Sequence, residues 1–163
     1  MALQQVATST LTSPASTIAV NGIDDDSVYM LACHNLIPDS SNAEVKMRVN
    51  KSSSAQSDSE YDYALKVLSS VSFNTRTGQN QDEVYFIDNV HTYGGNAIVY
   101  LYNFNSSSEF SFGTIESVAN VSNQQLGNTG GWIHTVASAS NGVTLHLNTG
   151  SFNSGTVTLY KVI

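Results

Sequence analysis

The sequence predicts an all-β fold, a single antiparallel two-sheet β-sandwich with a jelly-roll-like strand order. Three observations predict it. Short segments alternate between apolar and polar residues, the period of a strand with one dry face. The dipeptides Asn21-Gly22, Gly94-Gly95, Gly130-Gly131 and Asn141-Gly142 punctuate those segments as turns do. Only 12% of residues are charged. The polar load falls on Ser, Thr, Asn and Gln, which suit β surfaces better than exposed helix faces.

The N-terminal dozen residues, Met1–Thr12, carry the apolar side chains Leu3, Val6 and Leu11. They form either a first strand or an assembly arm that pairs with a neighbouring molecule, because strand addition to a sheet edge uses main-chain hydrogen bonds. In both cases residues 13–163 are the sandwich. Ser16–Val20 presents Ile18 and Val20 to one side. Ser27–His34 is apolar on both faces, as a central strand covered on both sides is. Ala43–Asn50 alternates strictly, with Val45, Met47 and Val49 facing the core.

Tyr61–Phe73 reads as a long strand bent by a bulge. Its Ala64, Leu65, Val67, Leu68 and Val71 also fit a helical face, but Tyr61, Tyr63, Val67, Val71 and Phe73 favour the strand. Ala97–Phe104, Glu109–Val121 and Trp132–Ala137 follow. Gly142–Asn148 turns Val143, Leu145 and Leu147 inward, and Gly155–Val162 does the same with Val157 and Leu159. Asn141-Gly142, between two apolar strand candidates, is a strong hairpin signal. The Ser-rich stretches Lys51–Ser59 and Asn105–Ser108 are loops. Pro14 and Pro38 fall between strands. About nine strands at this spacing make a sandwich, with a jelly roll the leading topology.

A chain of 163 residues is one domain and buries a core without staples. The net charge of −7 and the scattered cations argue against nucleic-acid binding, which needs clustered Lys and Arg. The single cysteine, Cys33, excludes an intramolecular disulfide and sits in an apolar run as a buried thiol. The N-terminus lacks a basic region followed by an apolar core, so no secretory signal is expected. No apolar stretch has the ~18 residues of a membrane span.

The residues that carry chemistry elsewhere are read here as structural. Asp24-Asp25-Asp26 lacks calcium-loop spacing and its distant Glu, and reads as a solvated turn. His34, His91, His134 and His146 have no second ligand at metal spacing. His134 and His146 are expected at most as a cross-strand polar pair. Asp82, Glu83 and Asp88 could pair as glycosidase carboxylates, but lie in a polar stretch read as loop and strand edge. No G-x-S-x-G elbow or phosphate-binding Gly-rich loop is present. No catalytic, metal or cofactor site is therefore expected. Tyr93 and Trp132, beside Gly94-Gly95 and Gly130-Gly131, are the candidates for stacking on a sugar. The N-x-[ST] triplets at Asn50, Asn105 and Asn120 read as by-products of a Ser- and Asn-rich chain.

Several blocks, taken in order, resemble one family. STLTSPASTIAVNGI is followed by VYMLACHNLIP, then AEVKMRVN, then a Ser-rich loop into SEYDYAL, and the chain ends in SFNSGTVTLYKVI. This order is similar to the small β-sandwich virion proteins of tailed bacteriophages, found among head decoration proteins and tail-fibre or tail-associated proteins. The family's commoner ending has Gly after Leu-Tyr, where Lys161 stands here. The resemblance implies a non-enzymatic structural or adhesive role in the virion, without catalytic residues or cofactor. It also implies a homo-oligomer, a trimer, contacting the major capsid protein or tail proteins. The leading expectation is a capsid decoration or cement subunit. The alternative is a tail-fibre or tail-adaptor subunit with a host-surface glycan as partner.

Overall fold

The computed structural model describes residues 2–121 and 124–163. The described chain folds into β1 (Leu3–Thr10), β2 (Thr17–Asn21), β3 (Tyr29–Pro38), β4 (Ala43–Lys51), β5 (Ser54–Ala55), β6 (Tyr61–Ser69) and β7 (Phe73–Gln81). It continues through β8 (Val84–Val90), β9 (Gly95–Tyr102), β10 (Ser111–Val121), β11 (Gln124–His134), β12 (Gly142–Leu147) and β13 (Phe152–Val162). The all-β expectation holds, with two antiparallel sheets packed as a sandwich.

Strand order explains the architecture. The long sheet runs β1-β13-β3-β9-β10-β11-β6-β7, and the short sheet β2-β12-β4-β5, with β8 also on β4. The quartets β1-β13-β3-β9 and β2-β12-β4-β8 are the two layers of a jelly roll. The hairpins β6–β7 and β10–β11 interrupt that chain order and pair with each other through β6 and β11. They extend the long sheet beyond the jelly roll.

Alternation fixes which side chains become core. On the long sheet Tyr29, Leu31, Val99, Leu101, Ile115, Val157 and Leu159 point inward and are almost fully buried. They meet Ile18, Val45, Met47, Val49, Val143 and Leu145 from the short sheet. At one end Phe104 lies edge-on to Trp132, with ring centroids 5.9 Å apart. β3 is an interior strand of its sheet, and its outer face is mixed, with Met30 buried and His34 exposed.

Three local readings change. Tyr61–Phe73 is not one bent strand: β6 ends at Ser69, and the Ser69 hydroxyl accepts from the Val71 and Ser72 amides in a tight turn into β7. β7 itself is polar and almost wholly exposed, so it has no apolar alternation to announce it. Gly130-Gly131 is not a turn. It lies inside β11, where Gly130 faces Ile115 and Leu65, and Gly131 faces Thr114 and Ala64. Asn141-Gly142 does not close a hairpin. β11 belongs to the long sheet and β12 to the short one, so this segment crosses between layers, anchored by the Ser140 amide on the Phe104 carbonyl at 2.6 Å.

The N-terminal segment lies as β1 on the edge of its own chain's long sheet, antiparallel to β13 from Leu3–Val162 to Thr10–Thr156. Val6 and Leu11 pack against the core, whereas Leu3 is 44% exposed.

Candidate interaction surface

The two outer faces of the sandwich differ in chemistry. On the short sheet β4 alternates, so that Lys46 and Arg48 point out opposite the core residues Val45, Met47 and Val49. They converge on Glu83, at the start of the β8 segment. Lys46 Nζ donates to Glu83 Oε1 at 2.7 Å and Arg48 to Oε2 at 3.0 Å. Arg48 also reaches the Asp82 carboxylate at 2.9 Å. His146 Nε2 lies 3.0 Å from Glu83 Oε2. The imidazole and then Lys46 hold the Glu83 carboxyl at about 2, against the opposing effect of burial. Asp88, 5% exposed, accepts from Arg76 at 3.1 Å and from the Tyr85 hydroxyl at 2.9 Å. Each member of the Asp82, Glu83 and Asp88 trio is thus held by a cation. The trio is an ion network, not an acid–base pair facing a substrate.

The outer face of the long sheet is apolar. Its central strand β9 is apolar at both parities, so that one set of side chains fills the core and the other remains outside. β9 turns Ile98, Tyr100 and Tyr102 outward, and β10 turns Phe112, Thr114, Glu116 and Val118 outward. Ile98, Phe112 and Val118 are 45%, 42% and 49% exposed. Register places Phe112 between Tyr102 and Ile133, and Thr114 between Tyr100 and Gly131. Gly131 adds no side chain there, leaving a shallow depression of about 450 Å³ beside Phe112. A second depression, about 520 Å³, lies between His34, Ile98 and Val118. The acid on these two central strands' outer face is Glu116, and Asp62 and Lys66 stand on β6, beyond β11.

The remaining sequence candidates lie elsewhere. Tyr93 is 73% exposed and stacks on His91, with ring centroids 5.4 Å apart. Trp132 is 4% exposed and belongs to the core. Gly95, just after Tyr93, pairs with Ala119, whereas Trp132 pairs with Gly113. That separates the two aromatics by ~20 Å along β10, so they do not form one sugar platform. Nor do His134 and His146 pair across strands, because they lie in different sheets. His134 is buried with Nε2 3.1 Å from Glu60, and burial pushes its imidazole below the ordinary value. Cys33 is buried, and burial raises its thiol far above the usual range.

Two of the three aspartates near β3 are tied up internally. Tyr29 donates to Asp24 at 2.9 Å and to Asp25 at 3.1 Å, while Lys161 binds Asp25. The Lys161 ammonium holds the Asp25 carboxyl far below its usual range. Among the described residues no group of three or more His, Cys, Asp or Glu is placed to hold a metal ion. Of the glycosylation-type triplets, the one at Asn120 extends to Ser122, outside the described residues.

Ile98, Phe112 and Val118 were not singled out in the sequence. The available signal was the run Ala97–Tyr102, apolar in both parities. Compared with protein-family models, curated proteins and solved structures, the chain matches none.

Proposed function

We propose that this chain is a non-enzymatic structural subunit of a tailed-bacteriophage virion, a head decoration or cement protein. It lays the outer face of its long sheet on the capsid shell. The observation that carries this reading is the apolar, charge-poor face formed by Ile98, Tyr102, Phe112, Val118 and Ile133. The whole outer face of the six adjacent strands β13 through β6, polar positions such as Glu116, Asp62 and Lys66 included, measures ~750 Å² at ~4.8 Å spacing and about eight residues at ~3.3 Å each. That approaches the ~800 Å² that each partner contributes to a standard interface. Tyr and Phe with few charges is also the composition of an interface core.

Cementing asks for contact area rather than chemistry. Buried apolar surface contributes ~25 cal/mol per Å² before association costs are subtracted. Many copies on a symmetric shell then multiply a modest single contact. The ordered sequence blocks that resemble small phage virion proteins point the same way, and so does the jelly-roll sandwich.

Cryo-electron microscopy of particles carrying this chain tests the reading. The expected result is density on the icosahedral shell with β9, β10 and β11 against the capsid. Density on the tail alone replaces it with the fibre or adaptor role. Absence of the chain from particles rejects both.

A further inference from the structure

We propose that the free edge of β7 is a second contact site, and that its occupant is β7 of another copy of this chain, joined antiparallel about a two-fold axis through Thr75.

β7 is the terminal strand of the long sheet and, among the described residues, is hydrogen-bonded only to β6. Its other edge carries main-chain N–H and C=O groups with no strand beside them. Folded proteins usually guard such an edge with charges, proline, bulges or a covering segment. Two other edges have guards of that kind. β1 bulges between Gln5 and Ala7, and its Val6 side chain folds over Gly22 at the end of β2. β8 pairs with β4 through two register shifts.

Over Phe73–Gly78 β7 lacks these devices; its one register shift on β6 lies beyond, between Gly78 and Gln81. From Phe73–Leu68 to Gly78–Tyr63 its register on β6 runs without a shift. The stretch holds no proline and no acid. Its one cation, Arg76, does not guard the edge. The guanidinium lies 3.8 Å from the Tyr85 ring centroid and donates to Asp88, so it is committed to the interior of the fold.

The occupant follows from charge and register. Two copies joined into one continuous sheet must pair residues of the same face. A two-fold at Thr75 satisfies this, placing Asn74 opposite Arg76 and Phe73 opposite Thr77. No like charges then meet, although each copy carries a net charge of −7. Phe73, 75% exposed, stands two residues from the axis, and Val71, 72% exposed, lies in the turn just before β7; both supply apolar contact. The two long sheets would become one, and their apolar faces a single larger surface. The inference rests on the β7 edge alone and does not need the virion reading.

Sedimentation or light scattering of the full chain across a concentration series tests it. The expected result is a dimer. Thr75→Glu sets two carboxylates opposite each other across the axis, while within one chain the new acid faces Lys66, its register partner. It should raise the dimer dissociation constant at least tenfold without loss of fold by circular dichroism. Gln4→Lys, on the opposite edge, should leave the dimer intact. Thr75→Cys should oxidise to a disulfide-linked dimer, since the native Cys33 is buried. As a measurement free of substitutions, β7 amides should exchange more slowly as concentration rises. A chain that is monomeric at all concentrations overturns the proposal. So does a dimer or trimer that Thr75→Glu leaves unchanged, or one that Gln4→Lys breaks instead.

Discussion

The Trp132 indole lies across Gly113, its register partner on β10, and occupies the space where a side chain at that position would stand. The pair fixes the far end of the core, because the same indole meets Phe104 edge-on. Gly113→Ala would drive a methyl group into the ring. We expect a loss of ~1–3 kcal/mol, the usual cost of overpacking. Trp132→Ala should cost ~3–5 kcal/mol through the cavity it leaves. Urea denaturation followed by circular dichroism measures both. Equal stability of Gly113→Ala and the native protein would show that the ring is free to move aside.

Arg76 ties the overhanging edge of the long sheet to the short one. It reaches from β7 to Asp88 on β8 and lies over Tyr85 between them. Arg76→Ala leaves a buried carboxylate without its cation, and should cost ~3 kcal/mol. Arg76→Lys should recover part of that, because a lysine loses the planar stacking on Tyr85. The same denaturation experiment ranks the three proteins.

Glu83 gives the fold a defined acid response. A carboxyl whose pKa is lower folded than unfolded stabilises the fold only while ionised. Its contribution is complete above about 4.5 and is lost as the pH falls toward about 2. Glu83→Gln should cost about 2 kcal/mol at pH 7 and flatten the stability profile between those limits. Chemical denaturation of both proteins from pH 7 to pH 2.5 checks this.

The apolar outer face should matter for assembly and little for folding. Val118→Asp and Phe112→Asp place a charge on exposed positions. They should change stability by about 1 kcal/mol or less. Their occupancy on particles should fall at least tenfold, as scored by quantitative gel of purified virions. Full occupancy by both variants would move the contact surface elsewhere.

Removing residues 1–10 should destabilise the domain, since it strips β1 from β13 and takes Val6 off the core. The melting temperature of the truncated chain measures the loss. An unchanged melting point with lost assembly would assign the segment to contacts between molecules.

What the sequence made legible was decided by where each strand lies between core and solvent. β4, β12 and the inner part of β13 alternate apolar and polar residues in sequence, so alternation located them within a residue or two. β7 is wet on both faces, and the Gln124–Gly131 half of β11 is polar and Gly-rich, so neither carries a periodic signal. The glycines of β11 looked like a turn because a turn and a close approach between strands both select for a missing side chain. Distances in space were illegible for another reason. Whether Tyr93 and Trp132 meet depends on the registers of β9, β10 and β11, and one-dimensional alternation does not record them. The burial of the Trp132 ring was illegible for the same reason, because it depends on Gly113, nineteen residues back in the chain across the β10–β11 hairpin.

The position of β13 sets the timetable of folding. It lies between β1 and β3, and the Thr8 hydroxyl meets Thr158 across 150 residues of chain. During synthesis β1 and β3 therefore wait, unpaired on that side, until β13 has left the ribosome. Loop closure over that span is slow compared with forming the local hairpins β6–β7 and β10–β11. These hairpins can assemble early, whereas the jelly-roll layer of the long sheet is completed late. A nascent chain stalled before residue 152 would present two vacant strand edges to the cell, and would rely on chaperones to remain soluble.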